Sequence, residues 1–256
     1  MPISFKEDHI SQIPALLMLE KFGYTYLTPD EALALRGGNL ANVLLEPVLR
    51  KQLAAINVVQ VSSMRTTVFS EQNITAGIDA LRNIPMDEGF MEASQTVYDL
   101  LTSGKTLEQI VDGDRKSFVM QYIDWKNPRN NVFHVTEEFA VSRTGMTDTY
   151  RPDIVLFVNG IPLCIIECKR PDVKDSIEQA ISQHLRNQKA DGIRSLYLYS
   201  TLLLAINRQE GSYATTATPE KFWARWREQF ADREEEARYR QELERVVNEP
   251  LLDDKL

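Results

Sequence analysis

The sequence has few of the residues that mark secreted, membrane-spanning or zinc-binding proteins. Only two cysteines occur, Cys164 and Cys168, and on one predicted strand their Cα atoms are about 13 Å apart, too far for a disulfide. The longest apolar runs fall short of the roughly 18 residues of a membrane helix, and the first residues lack the apolar core of a signal peptide. Three scattered histidines show no zinc spacing. These absences predict a reduced, cytoplasmic protein without a membrane segment.

Positive charge is also in short supply. The 29 Lys and Arg are outnumbered by 37 Asp and Glu, which leaves a net charge of −8. A free-standing protein that binds nucleic acid without sequence preference is usually basic, because phosphate contacts dominate its affinity. The acidic balance instead suits an ordinary enzyme, or a module that partner subunits help to place on DNA.

The pattern of apolar residues predicts an α/β chain with a mixed β-sheet core flanked by helices. Helical spacing dominates the first 125 residues, and Ser11 is a plausible N-cap of the first helix. Ser103–Thr106 is similar to the end of a phosphate-binding loop, but the motif requires a glycine at position 99, which is Asp99. The predicted helices are 9–24, 30–36, 42–57 (with a start near Glu46), 71–83, 90–103, 174–188 and 221–247, and the predicted strands are 131–143, two strands within 151–171, 195–199, 202–206 and 213–216.

Charged residues interrupt a central apolar hairpin at 151–171. Asp153 begins the first strand, and Glu167 and Lys169 end the second. Burying unpaired charge is costly, so a compensating divalent cation is expected. Two carboxylates and the backbone carbonyl of Cys168 suit a hard ion such as Mg²⁺. Lys169 is near enough to orient or help deprotonate an attacking water, which indicates hydrolysis of phosphodiesters. The alternative is a structural Asp–Lys or Glu–Lys pair at a strand end.

The register of this hairpin decides whether the two carboxylates share a face. A two-residue Asn159-Gly160 turn would place Asp153 and Glu167 on opposite faces. A shared metal site therefore predicts a three-residue loop at 159–161, or a bulge in one strand.

The helix that follows adds a polar flank beside its apolar face. Its apolar residues include Ile177, Ile181 and Leu185, whereas Gln183 and Asn187 lie on the adjacent polar flank, one helical turn apart. Such a flank could contact DNA or the attacking water, although amide-rich flanks are more often a solvated surface.

These motifs carry a resemblance to a known family. The Pro-Asp at 152–153, with Glu-Cys-Lys at 167–169, resembles the PD-(D/E)xK nucleases. The stretches 11–15, 23–24, 116–125, 131–139, 151–171 and 177–183 more closely resemble the N-terminal domain of the R (restriction) subunit of type I restriction enzymes, over nearly the whole chain.

The resemblance implies a restriction-endonuclease-like fold in which Asp153 and Glu167 bind Mg²⁺ and Lys169 assists the water. It also implies a Gln-x-x-x-Tyr helix motif with Gln183 as its first member, although Asn187 stands at the Tyr position. An acidic residue on an early helix is implied near the metal, with Glu46 slightly preferred over Glu20.

It further implies double-stranded DNA as substrate, methylation (M) and specificity (S) subunits as partners, and ATP for a motor in the full-length subunit. The expected domains are a helical part at 1–125, a nuclease core at 126–217 and a helix at 218–256 that leads to the motor. The ending at 248–256 is typical of a cut within a longer chain. Two alternatives stay open: a catalytically silent docking module, and a repair or recombination nuclease of the same superfamily.

Overall fold

The computed structural model describes residues 11–62 and 65–248, so the predicted helix start at His9 and the ending at 249–256 lie outside the described residues. The helices are α1 (Ile13–Lys21), α2 (Pro29–Leu35), α3 (Glu46–Ile56), α4 (Glu71–Arg82), α5 (Phe90–Ser103), α6 (Ser176–Asn187), α7 (Arg194–Tyr197) and α8 (Arg233–Asn248). The strands are β1 (Thr25–Leu27), β2 (Val58–Ser62), β3 (Arg65–Val68), β4 (Lys105–Val111), β5 (Asp114–Met120), β6 (Phe133–Glu137), β7 (Val141–Ser142), β8 (Thr149–Tyr150), β9 (Ile154–Val158), β10 (Ile161–Cys168), β11 (Leu202–Ile206), β12 (Gly211–Ala214) and β13 (Ala224–Arg225).

A seven-stranded mixed sheet organises the chain, in the order β1-β6-β9-β10-β11-β12-β13. β1 runs parallel to β6 and β10 runs parallel to β11, and the other neighbours are antiparallel. The predicted mixed sheet flanked by helices is therefore confirmed. β1 comes from the first predicted domain and β13 from the last, so all three predicted segments contribute strands to this sheet. The domain boundaries themselves stay a prediction.

The sheet is apolar on both faces, which explains why β9 and β10 are nearly continuous apolar runs. Val155 and Phe157 of β9 pack into a large cluster with α3, α4 and α5. The alternate residues Ile154 and Leu156 face the other way, into a smaller cluster that contains Leu16 of α1. Residues two apart on one strand share a face, so Asp153 lies on the face of Val155, and Glu167 on the face of Ile165 in the same large cluster.

Three predicted elements are wrong, at 131–143, 195–199 and 221–247. The helical character predicted for the first 125 residues needs only an addition: in the described part, helices contain more residues than strands, but the hairpins β2–β3 and β4–β5 also occur. Residues 195–199 do not form a strand: α7 begins at Arg194, and all four residues at 196–199 are buried. A short apolar run without alternation does not distinguish a strand from a buried helix.

The last helix begins at Arg233, twelve residues later than predicted. Within the stretch assigned to its first turns, residues 224–226 instead extend the sheet, where β13 pairs with β12 and the Trp226 N–H donates to the Gly211 carbonyl at 2.8 Å. Hydrogen bonding to the open edge of β12 therefore outweighs the local helical pattern of this stretch. The predicted strand at 131–143 is divided: β6 ends at Glu137, Glu138 has a positive φ of 46°, and β7 pairs with β8 in a separate sheet. The remaining predicted elements form close to their expected bounds, and Gly104 ends α5 as a helix cap.

The central hairpin reaches the required register through a bulge. Asn159 and Gly160 both have positive φ, 53° and 83°, as a two-residue type I′ turn requires. Next to the turn, Ile161 pairs with Val158, and the two residue numbers of each pair add up to 319. Beyond a bulge between Pro162 and Cys164, Cys164 pairs with Leu156, and the two numbers add up to 320. The three-residue loop is therefore wrong and the alternative, a bulge in one strand, is confirmed. The shifted register is the one that brings Asp153 opposite Glu167.

Candidate active site

The candidate site lies where β9 begins and β10 ends. Asp153 immediately precedes β9, Glu167 is the penultimate residue of β10, and Lys169 follows that strand. The Cys168 N–H donates to Asp153 Oδ2 at 2.6 Å. This hydrogen bond continues the ladder of the hairpin through a side chain and holds the Asp153 carboxylate against the end of β10.

Lys169 joins two of the predicted metal ligands. Its Nζ donates to the Cys168 carbonyl at 2.9 Å and lies 3.8 Å from Asp153 Oδ2. Both charged side chains are largely buried, with 13% of the Lys169 side chain and 15% of the Asp153 side chain exposed. An ion pair with so little exposure is weakly screened by solvent. The ammonium thus places positive charge beside the oxygens that would bind a cation.

Glu167 is fully buried. One carboxylate oxygen, Oε2, accepts a hydrogen bond from Gln183 Nε2 of α6. The other, Oε1, is buried and accepts no hydrogen bond from the residues that the structure describes. Burial raises the pKa of Glu167 well above its ordinary value, the Asp153 charge raises it further, and the Lys169 charge opposes both. The charged form of Glu167 is therefore unfavourable in the metal-free chain, although Lys169 is nearby.

The donor set fits Mg²⁺ better than a transition metal. Asp153, Glu167 and the Cys168 carbonyl offer oxygen, the ligand that hard cations prefer. Across residues 11–62 and 65–248, no group of three or more His, Cys, Asp or Glu side chains is arranged to hold a metal ion. Mg²⁺ commonly uses one or two carboxylates and keeps several waters. The unpartnered, buried Oε1 of Glu167 is where such an ion would relieve an uncompensated charge.

α6 brings Gln183 to the site and buries Asn187. Asn187 is fully buried, and its Oδ1 accepts from Arg186 Nε at 3.2 Å and from the Arg186 terminal nitrogen at 3.0 Å. The predicted solvated surface is therefore wrong for Asn187. The contact between Gln183 and Glu167 agrees with the proposed place of Gln183 in the site, while a catalytic role for Gln183 stays a prediction.

Two polar residues at the start of the chain contact the site and were missed as site residues. Ser11 does not cap α1; its hydroxyl donates to the Lys169 carbonyl at 2.8 Å. Gln12 Nε2 donates to Glu137 Oε2 at 3.0 Å and to the Asp153 carbonyl at 3.3 Å. A Ser-Gln pair before a helix has the same local signature as a cap, and only its contacts with residues about 140 positions away reveal the difference.

Neither candidate for the early-helix carboxylate lies beside Asp153 and Glu167. Glu46 forms ion pairs with Arg50 and Arg82, and its neighbour Leu45 donates its N–H to the Gly160 carbonyl. Gly160 is in the turn, at the opposite end of the hairpin and about 20 Å from Glu167 at 3.3 Å per strand residue.

Glu20 is buried on α1, and its charge raises the pKa of Tyr26. Tyr26 packs in the smaller cluster, on the other face of the sheet from Glu167. The preference for Glu46 is therefore corrected, and Glu20 does not replace it.

The fold and the site together define a mixed α/β protein of the restriction-endonuclease-like type, with an Asp, a Glu and a Lys at the ends of a central hairpin. The chain belongs to the family described as the type I restriction enzyme R protein N terminus, whose family model matches residues 4–222.

Relatives with this name are much longer than the chain. It is 28% identical over 206 residues to the type I restriction enzyme HindI endonuclease subunit of Haemophilus influenzae, covering 77% of this chain and 18% of the relative. It is 27% identical over 228 residues to a protein of Methanocaldococcus jannaschii named as the MjaIXP type I restriction enzyme endonuclease subunit, covering 86% of this chain and 20% of the relative. The chain thus spans about a fifth of the length of these relatives. Among its described residues, no helix is long and apolar enough to cross a membrane.

Proposed function

We propose that this chain is the nuclease portion of a type I restriction enzyme endonuclease subunit and hydrolyses phosphodiester bonds of double-stranded DNA with Mg²⁺. The observation that carries the proposal is the buried pair Asp153 and Glu167 with Lys169 beside it, at the ends of β9 and β10. Membership of the family supports the restriction context.

The roles follow from the contacts of each group. Asp153, Glu167 and the Cys168 carbonyl would hold Mg²⁺, which when bound would offset the charge that builds up on the scissile phosphate. Cys168 N–H fixes the Asp153 carboxylate, and Gln183 fixes Glu167 through Oε2, which leaves Oε1 for the cation. Lys169 Nζ lies beside these oxygens, where it would donate a hydrogen bond to the attacking water and orient its oxygen toward the phosphorus.

The larger enzyme would supply what this chain does not. We propose that cutting is independent of the local sequence and follows ATP-driven translocation by a motor elsewhere in the full-length subunit, with methylation and specificity subunits as partners. Relatives about five times as long leave room for such a motor. The net charge of −8 also favours a module that its partners bring to DNA.

The test uses the full-length subunit in its complete complex. Asp153→Ala and Lys169→Ala should each abolish DNA cutting and leave ATP hydrolysis intact. Asp175→Ala and Lys174→Ala are matched controls, because these exposed side chains lie just beyond the site, with 64% and 92% of their surface exposed. Cutting by Asp153→Ala at the wild-type rate would remove the assignment.

The two open alternatives are separable. If the chain is a catalytically silent docking module, calorimetry should find no Mg²⁺ binding. If it is a nuclease, calorimetry should find Mg²⁺ binding that is lost in Glu167→Ala. A repair or recombination nuclease would share the chemistry but would lack a motor in the same reading frame.

A further inference from the structure

A fully buried histidine and tyrosine form a hydrogen-bonded pair beneath α6. His184 Nε2 lies 3.0 Å from the Leu204 carbonyl, and Nδ1 lies 2.9 Å from the Tyr197 hydroxyl. A carbonyl only accepts, so Nε2 carries the ring proton. Nδ1 can then only accept, and the Tyr197 hydroxyl must donate to it. Burial holds the pKa of His184 down at about 4, so the ring stays neutral.

This hydrogen bond joins α6 to α7. His184 lies on α6 directly after Gln183, and Tyr197 is the last residue of α7. The Tyr197 hydroxyl therefore holds, through His184, the turn of α6 that carries Gln183.

The pair lies beneath the part of α6 that contacts the candidate site. His184 directly follows Gln183 on this helix. Gln183 donates to Glu167, and the Arg186 charge acts on Glu167 to lower its pKa. The charge of Glu167 in turn acts on Tyr197. Tyr197 thus lies behind the turn of α6 that contacts the proposed metal ligand.

We propose that Tyr197 is a positioning residue of this site: its hydroxyl donates to His184 and so holds the turn of α6 that presents Gln183 to Glu167. The inference rests on the proposed function, because it takes Glu167 as a metal ligand. Groups that orient a metal ligand without touching the ion commonly change metal affinity by tenfold or more when they are removed. Loss of this one hydroxyl should therefore weaken metal binding without removing a ligand.

The experiment compares two buried tyrosines two residues apart. Tyr197→Phe deletes the hydroxyl and keeps the ring that packs edge-on against His184. Tyr199→Phe is the matched control, because its buried hydroxyl donates to the Leu81 carbonyl at 2.8 Å, away from α6. Both variants should lower the melting temperature by similar amounts. Calorimetry with Mn²⁺ on the 256-residue chain should give about tenfold weaker binding for Tyr197→Phe and the wild-type affinity for Tyr199→Phe.

Each outcome bears on one claim. Equal Mn²⁺ affinity in the wild type and both variants would overturn the role of Tyr197 while leaving the metal site intact. A wild-type chain that binds no Mn²⁺ would overturn the proposed function itself, and this inference with it. Should Tyr197→Phe not fold, His184→Phe removes the same hydrogen bond from the α6 side and is expected to weaken Mn²⁺ binding similarly. An unchanged affinity in that variant would also overturn the proposal.

Discussion

Replacing Glu167 by Gln should stabilise the metal-free protein and destabilise it relative to the wild type when Mg²⁺ is present. Glu167 is fully buried beside Asp153, and its Oε1 accepts no hydrogen bond from the described residues. An amide could direct its oxygen to Gln183 and its NH₂ group to the Asp153 carboxylate. Each unit by which the folded state raises the pKa of Glu167 costs the wild type about 1.4 kcal/mol of stability at a pH above that pKa, and the neutral amide avoids this cost.

The pH dependence has a definite sign. Burial raises the pKa of Glu167 above its ordinary value of 4.5, so the folded chain binds more protons than the unfolded chain between the two pKa values. The contribution of Glu167 to the free energy of unfolding is therefore largest below pH 4.5 and is lost as the pH rises through its folded pKa. Glu167→Gln should lack this loss, which makes its advantage greatest at alkaline pH.

Mg²⁺ should reverse the order of stability. A ligand that binds only the folded state at a hundred times its dissociation constant adds about 2.7 kcal/mol. The wild type should gain this amount, whereas Glu167→Gln should gain far less because it has lost a charged ligand. The net effect is an inversion, from a more stable variant in EDTA to a more stable wild type in Mg²⁺.

Urea unfolding at pH 8, followed by circular dichroism in EDTA and in saturating Mg²⁺, measures both effects. Glu178→Gln is the control, because this exposed carboxylate lies on α6 and should respond to neither condition. A Glu167→Gln chain that is less stable than the wild type in EDTA would refute the claim of an uncompensated buried charge. Equal stabilisation of both chains by Mg²⁺ would refute Glu167 as a ligand.

Two further predictions concern the frame of the site. Gly160→Ala should lower the free energy of unfolding in urea by about 2 kcal/mol or more, because φ is +83° and a Cβ would lie 2.6 Å from the Leu45 carbonyl oxygen. The control Gly145→Ala has φ +70° but open space around it, and should lower it by about 1 kcal/mol. An equal loss at both sites would rule out the close contact as the cause. His184, with a pKa of about 4 in the folded state against 6.5 ordinarily, should lower the stability of the chain by up to about 3 kcal/mol as the pH falls from 6.5 to 4; an NMR titration in which the ring protonates near pH 6.5 would contradict its burial as a neutral donor and acceptor.

The sequence was sufficient to predict the central hairpin and its charges. Apolar runs of strand length, an Asn-Gly turn and carboxylates within apolar strands are local signals, and the requirement that Asp153 face Glu167 led to the bulge as one of two solutions. The choice between the two was not local. The positive φ values at Asn159 and Gly160 suit a two-residue turn, and the extra residue is absorbed further along β10.

Contacts distant in sequence were beyond prediction. Ser11 has the local pattern of a helix cap but donates to the Lys169 carbonyl. Trp226 lies within the predicted helix 221–247, but its N–H donates to the Gly211 carbonyl at the edge of the sheet. Glu46 is an acidic residue on an early helix, as the resemblance implied. Its neighbour Leu45 contacts the hairpin turn, which places Glu46 at the end of the hairpin opposite to Glu167. In each case, contacts with residues distant in the sequence determine the structure, and the local pattern alone does not.

Binding of a divalent ion between Asp153 and Glu167 is the central proposal. Crystals of this chain soaked in Mn²⁺ and measured for anomalous scattering test it directly. We expect a peak within about 2.0–2.6 Å of carboxylate oxygens from both residues and of the Cys168 carbonyl, and no such peak in Glu167→Gln. No peak at this place in saturating Mn²⁺, or a peak that persists in Glu167→Gln, would contradict metal binding by these residues.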